Sequence, residues 1–363
     1  MRHSLSACAL ATLHARISAD PDFTTLQAVD LHALPTTGLA HDHIRLGDSG
    51  WLARVPKQSQ FGLAALDNLR YQAACFRRAS ACGHAPRLQR VLLPCTELPL
   101  GALIVEYIAG RPLHMPAELA RIAPALAALH NLPLPAPAHQ PPLRDSADAV
   151  ASELRTIQAQ AAFLPDAALS VDSQAQLDEE LHWAQRYAAQ TAGQLQPVRL
   201  IATDTHPGNW LLRQDQAVLV DWEKGQYSSP AIDLAHASLY TSTTWDVVAA
   251  GAPPLQAIAA FYQHWLEAAA PDLAKPLRPW LLPLRRLVWL RAVTWCVKWR
   301  VASRQARRLE QPNSAASTED WSAECSDAAL VTHVQNRVDH YLDPAVMATV
   351  RQEWAPGSPL QDL

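Results

Sequence analysis

One segment, residues 200–239, constrains the fold of this chain more than any other. Two short, mostly apolar runs, Trp210–Arg213 and Ala217–Val220, stand on either side of the polar triplet Gln214–Gln216. Apolar runs joined by a short polar loop are typical of a β-hairpin. The segment therefore predicts two antiparallel strands, and every polar side chain near their ends is placed by that pairing.

The predicted hairpin decides which polar side chains meet at its open end. If Arg213 pairs with Ala217, Asn209 lies opposite Asp221, with the two Cα atoms roughly 4.5–5.5 Å apart. Asp204 precedes Asn209 in the loop that leads into the hairpin. Oxygen ligands of this kind suit Mg²⁺, which proteins usually hold through one or two carboxylates together with substrate phosphates. The segment therefore predicts a magnesium site, with one further carboxylate available for a hydroxyl proton.

The sequence motifs of this segment resemble those of the catalytic region of the aminoglycoside phosphotransferase and choline kinase family. The matching elements are D-T-H-P-G-N-W-L-L, then V-D-W-E, then D-L-A. The resemblance implies that Asp204 orients and deprotonates an acceptor hydroxyl, whereas Asn209 and Asp221 hold Mg²⁺ on the phosphates of ATP. It also implies that Asp233, at the start of the next helix, braces the catalytic loop.

The same resemblance implies a two-lobed, protein-kinase-like α+β fold. The N-lobe is expected to be small and built on an antiparallel sheet, and the C-lobe to be larger and mainly helical. A chain of 363 residues has ample length for two lobes. We predict a lead-in over residues 1–40, a nucleotide-binding N-lobe over 41–108, and a C-lobe over 109–363 with the catalytic loop and the acceptor site.

Residues 41–57 predict a second hairpin, on the nucleotide side of the fold. Its turn, Gly47–Gly50, corresponds to the glycine-rich loop that covers the nucleotide in the family. Matching the second strand to the family pattern puts Arg54, and not Lys57, at the position of the phosphate-binding cation. An arginine can fork onto phosphate oxygens, so this replacement keeps the expected chemistry.

A helix is predicted after this hairpin. Apolar residues recur at helical spacing over residues 61–81. The family has a glutamate in this helix that pairs with the strand cation, and the matching residue here is Gln72. Its side-chain oxygen can accept a hydrogen bond from Arg54. Asp67, one turn away, is an alternative partner.

The hinge between the lobes is predicted at E-Y-I-A-G-R-P-L, which begins at Glu106. In kinases the hinge backbone reads the edge of the base, so we assign Glu106 and Ile108 to nucleotide binding. An amphipathic helix over residues 117–130 follows. It ends at His130, which we interpret as a structural hydrogen-bonding residue.

Three departures from the family pattern leave a second interpretation open. Ala202 stands where the family usually has a histidine, two residues before the catalytic aspartate. Gln72 replaces the glutamate, and the glycine loop offers only Gly47 and Gly50. The alternative to an enzyme is therefore a non-catalytic, kinase-like binding protein, a pseudokinase. The retained oxygen-bearing side chains of the catalytic segment argue against it.

Residues 277–308 combine arginine and lysine with tryptophan and contain no acid. A membrane-surface helix, a nucleic-acid contact and a packed C-lobe helix whose basic stems cover apolar surface all fit this pattern, and we favour the packed helix. If the helix faces the acceptor pocket, its cations favour a neutral or anionic acceptor over a polycationic one. Residues 310–325 are polar and are predicted as a loop.

Composition narrows the class of protein further. The net charge of −4 argues against a general nucleic-acid-binding protein. The six cysteines form no C-x-x-C pair, so reduced thiols in the cytosol are the simplest interpretation. The chain contains no run of about 18 apolar residues, so no transmembrane helix is predicted. The apolar run near the N-terminus is a poor signal peptide because Arg16 follows it closely.

Taken together, these features predict a cytoplasmic small-molecule kinase. The predicted reaction is a Mg²⁺-dependent transfer of the γ-phosphoryl group of ATP to a hydroxyl group. The acceptor itself is not identified by the sequence. The expected partners are a nucleotide and a small-molecule acceptor, and neither nucleic acid nor a membrane span is expected.

Overall fold

The N-lobe is built on a five-stranded antiparallel sheet. The computed structural model describes residues 5–34, 40–309 and 328–363. The helices and strands of the N-lobe are α1 (Ala7–Ser18), β1 (Leu31–Ala33), β2 (His41–Leu46), β3 (Trp51–Pro56), α2 (Ala65–Ala79), β4 (Leu88–Leu92) and β5 (Ala102–Glu106). The strand order of the sheet is β1-β2-β3-β5-β4.

The two faces of this sheet bury different helices. Successive residues of a strand point to opposite faces, so Ile104 of β5 packs in a core with α1, whereas Leu103 and Val105 pack in a core with α2. The second core continues into the C-lobe. Strand β1 is therefore an edge strand of the N-lobe sheet, and α1 covers one of its faces. The boundaries proposed at residues 40 and 108 stay predictions.

The loop between β3 and α2 is longer than the sequence predicts. The helix expected from residue 61 begins at Ala65. Gly62 has φ of +63°, which is incompatible with a right-handed helix, and this explains the later start. The preceding residues instead form part of the cleft wall, where Gln58, Gln60 and Phe61 lie.

The C-lobe is larger and mainly helical, as predicted. A short three-stranded sheet and a two-stranded sheet lie on it, with strand orders β6-β8-β9 and β10-β7. Its elements are β6 (Arg111–Pro112), α3 (Ile122–His130), α4 (Ala149–Ala161), α5 (Val171–Gln190), β7 (Arg199–Ile201), β8 (Trp210–Arg213), β9 (Gln216–Leu219), β10 (Gln226–Ser228), α6 (Pro230–Ser238), α7 (Tyr240–Thr243), α8 (Leu255–Ala268), α9 (Pro271–Leu277), α10 (Leu281–Leu309), α11 (Ala328–Tyr341) and α12 (Pro344–Arg351).

The hairpin of β8 and β9 forms, but its register differs from the prediction by one residue. Arg213 pairs with Gln216 and not with Ala217. The loop therefore has two residues, and Gln214 takes a positive φ of 55° to close it. As a result the backbone O of Asn209 accepts from the N–H of Val220, at 3.0 Å, and Asn209 is not directly opposite Asp221.

Helix α10 runs through the middle of the C-lobe and packs against α4 and α6. The basic side chains of this segment pair with acids from other parts of the lobe, for example Arg285 Nε with Glu353 Oε2 and Arg286 Nε with Glu180 Oε2, each at 2.6 Å. Three tryptophans of residues 277–308 are buried: Trp280, Trp289 and Trp299. These contacts are those of the packed helix favoured for residues 277–308.

No helix in the described part of the chain combines the length and the apolar composition that a bilayer crossing requires. The polar loop predicted over residues 310–325 lies outside the described residues.

Candidate active site

The loop of residues 202–209, which the sequence predicts to be catalytic, is held by a buried carboxylate from the first turn of α6. Asp233 accepts hydrogen bonds from the backbone N–H of Ala202 at 2.8 Å and of Thr203 at 2.7 Å. The Nε2 atom of His130 lies 3.2 Å from Asp233 Oδ2, and its Nδ1 accepts from the indole of Trp265 at 3.1 Å. Because the indole can only donate, His130 donates from Nε2 to Asp233. The alanine at position 202 keeps this brace, since only its backbone takes part.

The carboxylate of Asp204 lies next to an ammonium group and two imidazoles. Lys224 donates from Nζ to Asp204 Oδ2 at 3.0 Å. The nearest ring nitrogens of His206 and His236 lie 3.8 and 4.0 Å from Oδ1. Burial raises the pKa of Asp204, but Lys224 and then the two imidazoles outweigh it and hold the pKa well below its usual range. Asp204 is therefore ionised at neutral pH and can accept a hydrogen bond from a hydroxyl.

Asn209 and Asp221 present oxygen atoms to the same cleft. Asn209 donates from Nδ2 to the backbone O of Asp204 at 2.9 Å, and its carboxamide oxygen remains available as a ligand. Among the described residues, no group of three or more His, Cys, Asp or Glu could hold a metal ion. Mg²⁺ commonly binds to one or two carboxylates and completes its shell with water and phosphates. The donor set therefore fits a magnesium site that forms together with a bound nucleotide.

Arg54 is buried on β3 and reaches the C-lobe. Its Nη2 atom forms an ion pair with Asp221 Oδ1 and also donates to Nδ1 of His41 at 3.1 Å. The sequence predicted that Gln72 accepts a hydrogen bond from Arg54. In the structure it does not, because His41 lies between the two side chains. Its Oε1 is 3.2 Å from Nε2 of His41. The alternative partner Asp67 is exposed on the surface of α2.

The predicted hinge residues have different surroundings. The carboxylate of Glu106 pairs with Nε of Arg87 at 3.1 Å and with Nη1 of Arg213 at 2.9 Å. It therefore connects the end of β5 to the β8–β9 hairpin. Ile108 is buried and lines the cleft.

One continuous cleft of about 740 Å³ is lined by residues of both lobes. This volume lies in the range of small-molecule sites. Arg54, Asp204, Asp221 and Lys224 share it with apolar side chains from the N-lobe sheet, the hinge and the β8–β9 hairpin. These apolar residues are Leu52, Val105, Ile108, Leu211 and Val220.

The sequence profile of the phosphotransferase enzyme family (APH) matches residues 34–277, which is more than half of the chain. This chain belongs to the phosphotransferase enzyme family. The matched range contains Arg54 and the whole of residues 200–239, so the family predicted from that segment is confirmed. No curated protein matches the chain significantly.

Several solved structures resemble this family member over nearly their whole length. A choline/ethanolamine kinase family protein from Mesorhizobium loti is 16% identical, with a TM-score of 0.54 and coverage of 95% of this chain and 99% of that one. Choline kinase from Cryptosporidium parvum is 12% identical, with a TM-score of 0.56 and coverage of 98% of each chain. The ADP-bound aminoglycoside phosphotransferase APH(2'')-Ib is 14% identical, with a TM-score of 0.52 and coverage of 94% of this chain and 99% of that one. These likenesses confirm the two-lobed, protein-kinase-like α+β fold.

On its C-lobe side, the cleft of this phosphotransferase family member has aromatic walls. The rings of Trp245 and Trp295 meet edge to face with centroids 5.6 Å apart, and His333 packs against Trp245 at 6.2 Å. Arg291 lines the same region, and its Nη1 donates to Glu153 Oε1 at 2.9 Å. Helix α10 reaches the cleft through four residues, Arg291, Ala292, Trp295 and Cys296.

Sequence reasoning missed three residues of this site. His41 could have been found from the alternation of side chains along β2. His43 pairs across the sheet with Arg54, and His41, two residues earlier, faces the same side of the sheet. His236 stands three residues after Asp233, a spacing that puts both on one helical face. Lys224 carried no comparable signal, since its contact with the catalytic loop depends on the path of the chain after the hairpin.

Proposed function

We propose that this protein transfers the γ-phosphoryl group of ATP to a hydroxyl group of a small molecule, in a Mg²⁺-dependent reaction with Asp204 as the catalytic base. Family membership supports phosphotransferase chemistry. The observation that carries the proposal is that Asp204, Asn209, Asp221 and Arg54 line one cleft. An ionised carboxylate, two oxygen ligands and a cation are the groups that phosphoryl transfer to a hydroxyl requires.

In this proposal Asp204 accepts a hydrogen bond from the acceptor hydroxyl and directs its oxygen towards the γ-phosphorus. As the new O–P bond forms, the bond from the γ-phosphorus to the β–γ bridging oxygen breaks and ADP leaves. The hydroxyl proton passes to the carboxylate of Asp204. Because the pKa of this carboxyl is held low by Lys224, Asp204 is a weak base. This suits a loose transition state, in which positioning matters more than basicity.

The nucleotide would be held mainly by N-lobe residues. Arg54 would bind phosphate oxygens through its guanidinium, and Asn209 and Asp221 would hold Mg²⁺. The ion, when bound, neutralises phosphate charge. Backbone groups at Glu106 and Ile108 would bind the base, while the ion pairs of Glu106 fix the hinge. An ATP-dependent protein of this kind is expected to act in the cytoplasm, where ATP is available.

The acceptor is assigned to the C-lobe side of the cleft. The faces of Trp245 and Trp295 offer a surface for a sugar or another ring. Arg291 and Lys224 also line this region, and each is paired with an acid, Glu153 and Asp204 respectively. Asp246 also lines it, but one of its carboxylate oxygens accepts from two backbone N–H groups. The aromatic wall therefore supports a hydroxyl compound that contains a ring as the acceptor.

Thermal shift with nucleotides tests the proposal. We expect Mg²⁺ with ATP to raise the melting temperature of the wild-type protein, and Asp221→Ala to lose the Mg²⁺-dependent part of that rise. GTP is measured in parallel, since the nucleotide choice is part of the proposal. Phosphorylated product would then be sought in a panel of neutral, anionic and cationic hydroxyl compounds, with Asp204→Asn as the inactive control.

Two outcomes would contradict the proposal. No stabilisation by any nucleotide, in a well-folded sample, would favour the pseudokinase alternative. Stabilisation by nucleotide that does not depend on Mg²⁺ or on Asp221 would remove the assigned metal ligands from the reaction.

A further inference from the structure

Three side chains from three N-lobe elements form a series of hydrogen bonds that ends at the phosphate-binding cation. Arg54 donates from Nη2 to Nδ1 of His41 at 3.1 Å. Nε2 of His41 lies 3.2 Å from Oε1 of Gln72 on α2. All three residues are buried, at 3%, 3% and 1% exposure, so water does not compete for these bonds.

The direction of each hydrogen bond follows from the chemistry of the groups. A guanidinium only donates, so Nδ1 of His41 carries no proton and accepts from Arg54. A neutral imidazole then has its proton on Nε2, which donates to the carboxamide oxygen of Gln72. The pKa of His41 lies well below its usual range, first because of burial and then because of the charge on Arg54. The imidazole is therefore neutral at physiological pH.

We propose that His41 is a positioning residue that holds the guanidinium of Arg54 towards the nucleotide phosphates, with Gln72 fixing the imidazole from behind. The inference rests on the proposed function, because it assumes that Arg54 binds phosphate. The family resemblance predicts an acid at position 72 in direct contact with the strand cation. This chain instead connects the two positions through neutral hydrogen bonds.

A neutral partner has a physical consequence for Arg54. Asp221 already pairs with the guanidinium, and a second carboxylate in direct contact would cancel more of its charge, whereas neutral His41 fixes the orientation of Arg54 and adds no negative charge. The other acid near His41 is Glu223, whose Oε2 lies 3.5 Å from Nδ1. Among the described residues, Arg54 forms its ion pair with Asp221 and none with Glu223.

The test compares ligands with and without phosphates. Titration calorimetry with Mg²⁺·ATP, and competition with adenosine, would be measured for wild type and His41→Phe. Phenylalanine keeps the ring volume but accepts and donates no hydrogen bond. We expect Mg²⁺·ATP to bind about tenfold more weakly, while adenosine affinity changes by less than about twofold. A merely structural role of His41 would instead weaken both ligands together, and that result would overturn the proposal.

Two substitutions at Gln72 give a matched pair that leaves the imidazole in place. Gln72→Glu keeps an oxygen that accepts from Nε2 of His41, so Mg²⁺·ATP affinity is expected to stay within about twofold of wild type. Gln72→Leu removes that acceptor and is expected to lower the affinity about threefold. Equal affinities in the two variants would overturn the proposal, even where His41→Phe does not fold.

The two hypotheses fail in different ways in this experiment. If wild type binds Mg²⁺·ATP and His41→Phe binds it equally well, the role of His41 is wrong and the proposed function stands. If wild type binds no nucleotide at all, the proposed function is wrong and the role of His41 falls with it.

Discussion

The two walls of the cleft obtain their charged groups in different ways. On the C-lobe wall, Asp204 and Asp221 belong to one stretch of chain and are placed by a loop and a hairpin. On the N-lobe wall, Arg54 sits on β3 but is oriented by His41 from β2 and by Gln72 from α2. The first wall depends on residues close in sequence, whereas the second depends on three elements that only the folded sheet and helix bring together.

This difference separates the expected effects of substitution. In the proposed function the C-lobe wall contains Asp204, the group that contacts the reacting hydroxyl, and its loop is held by the buried side chain of Asp233. Its loss should therefore abolish chemistry or destabilise the fold. The N-lobe wall shares its work among several hydrogen bonds, so single substitutions there should weaken nucleotide binding by smaller steps.

The largest effect is expected from Asp204→Asn. The amide cannot take the proton of the acceptor hydroxyl, so kcat should fall roughly 10²–10⁴-fold. Mg²⁺·ATP affinity should change little, because the metal ligands and Arg54 remain. Steady-state kinetics with an acceptor from the panel, together with calorimetry, would measure both. An Asp204→Asn enzyme with near wild-type kcat would show that the C-lobe wall does not supply the base.

Asp233→Ala should be the most destabilising change at this wall. It leaves the N–H groups of Ala202 and Thr203 buried without their acceptor, at a cost of about 3 kcal/mol or more in the free energy of unfolding. Urea denaturation would measure the change. Asp215→Ala is the control, since this residue is 87% exposed in the hairpin loop and should change stability by less than about 0.5 kcal/mol. Equal losses in the free energy of unfolding for the two variants would show that Asp233 does not stabilise this loop.

On the N-lobe wall, Arg54→Met tests whether this residue is the phosphate-binding cation. Methionine keeps much of the side-chain volume but carries no charge, so Mg²⁺·ATP affinity should fall more than about tenfold. Lys57→Met removes a charge from the same strand region, where Lys57 pairs with Asp42 at 3.4 Å, and should change the affinity less than about threefold. The reverse order of effects would assign the phosphates to Lys57.

The remaining effect concerns pH and stability at the loop of Asp204. Burial, more than any other cause, lowers the pKa of His236 from 6.5 to about 3. Between these values the unfolded chain binds a proton that the folded protein does not, so the free energy of unfolding falls as the pH falls through this range. His236→Asn keeps an oxygen that can accept from the N–H of Thr205 but cannot titrate, so its stability should fall less steeply.

Urea midpoints measured between about pH 7 and about pH 4 would compare the two slopes for His236→Asn and wild type. The other titratable groups near this ring are present in both proteins and cancel in the comparison. They are Asp204, Arg291, His206 and Lys224. Parallel curves would show that the buried imidazole does not control the acid sensitivity of this wall.

Residues 200–239 carried most of what could be predicted about the site. Spacing within this segment predicted the hairpin, and wording predicted the family that the sequence profile confirms. The predicted register was wrong by one residue because the loop length depends on whether Gln214 adopts a positive φ, which no residue type there signals. A one-residue change in register is enough to change every cross-strand neighbour.

The N-lobe site was predicted only as a set of positions. The sequence assigned Arg54 and Gln72 by analogy with the family pattern, but the contact between them was wrong, because His41 lies in the space that a direct bond would need. The basic, tryptophan-rich segment was ambiguous for a similar reason. Its partners, such as Glu353 and Glu180, come from distant helices.

The sequence by itself determined the family, the order of the acids proposed to be catalytic and the helical or extended state of the main elements, because these depend on residue type and on short-range spacing. Only the tertiary structure decided that His41 separates Arg54 from Gln72, that Lys224 lowers the pKa of Asp204, and that α10 turns tryptophan and arginine towards the C-lobe side of the cleft. Those contacts join residues far apart in the chain, and their geometry is set by packing between elements rather than by any local pattern.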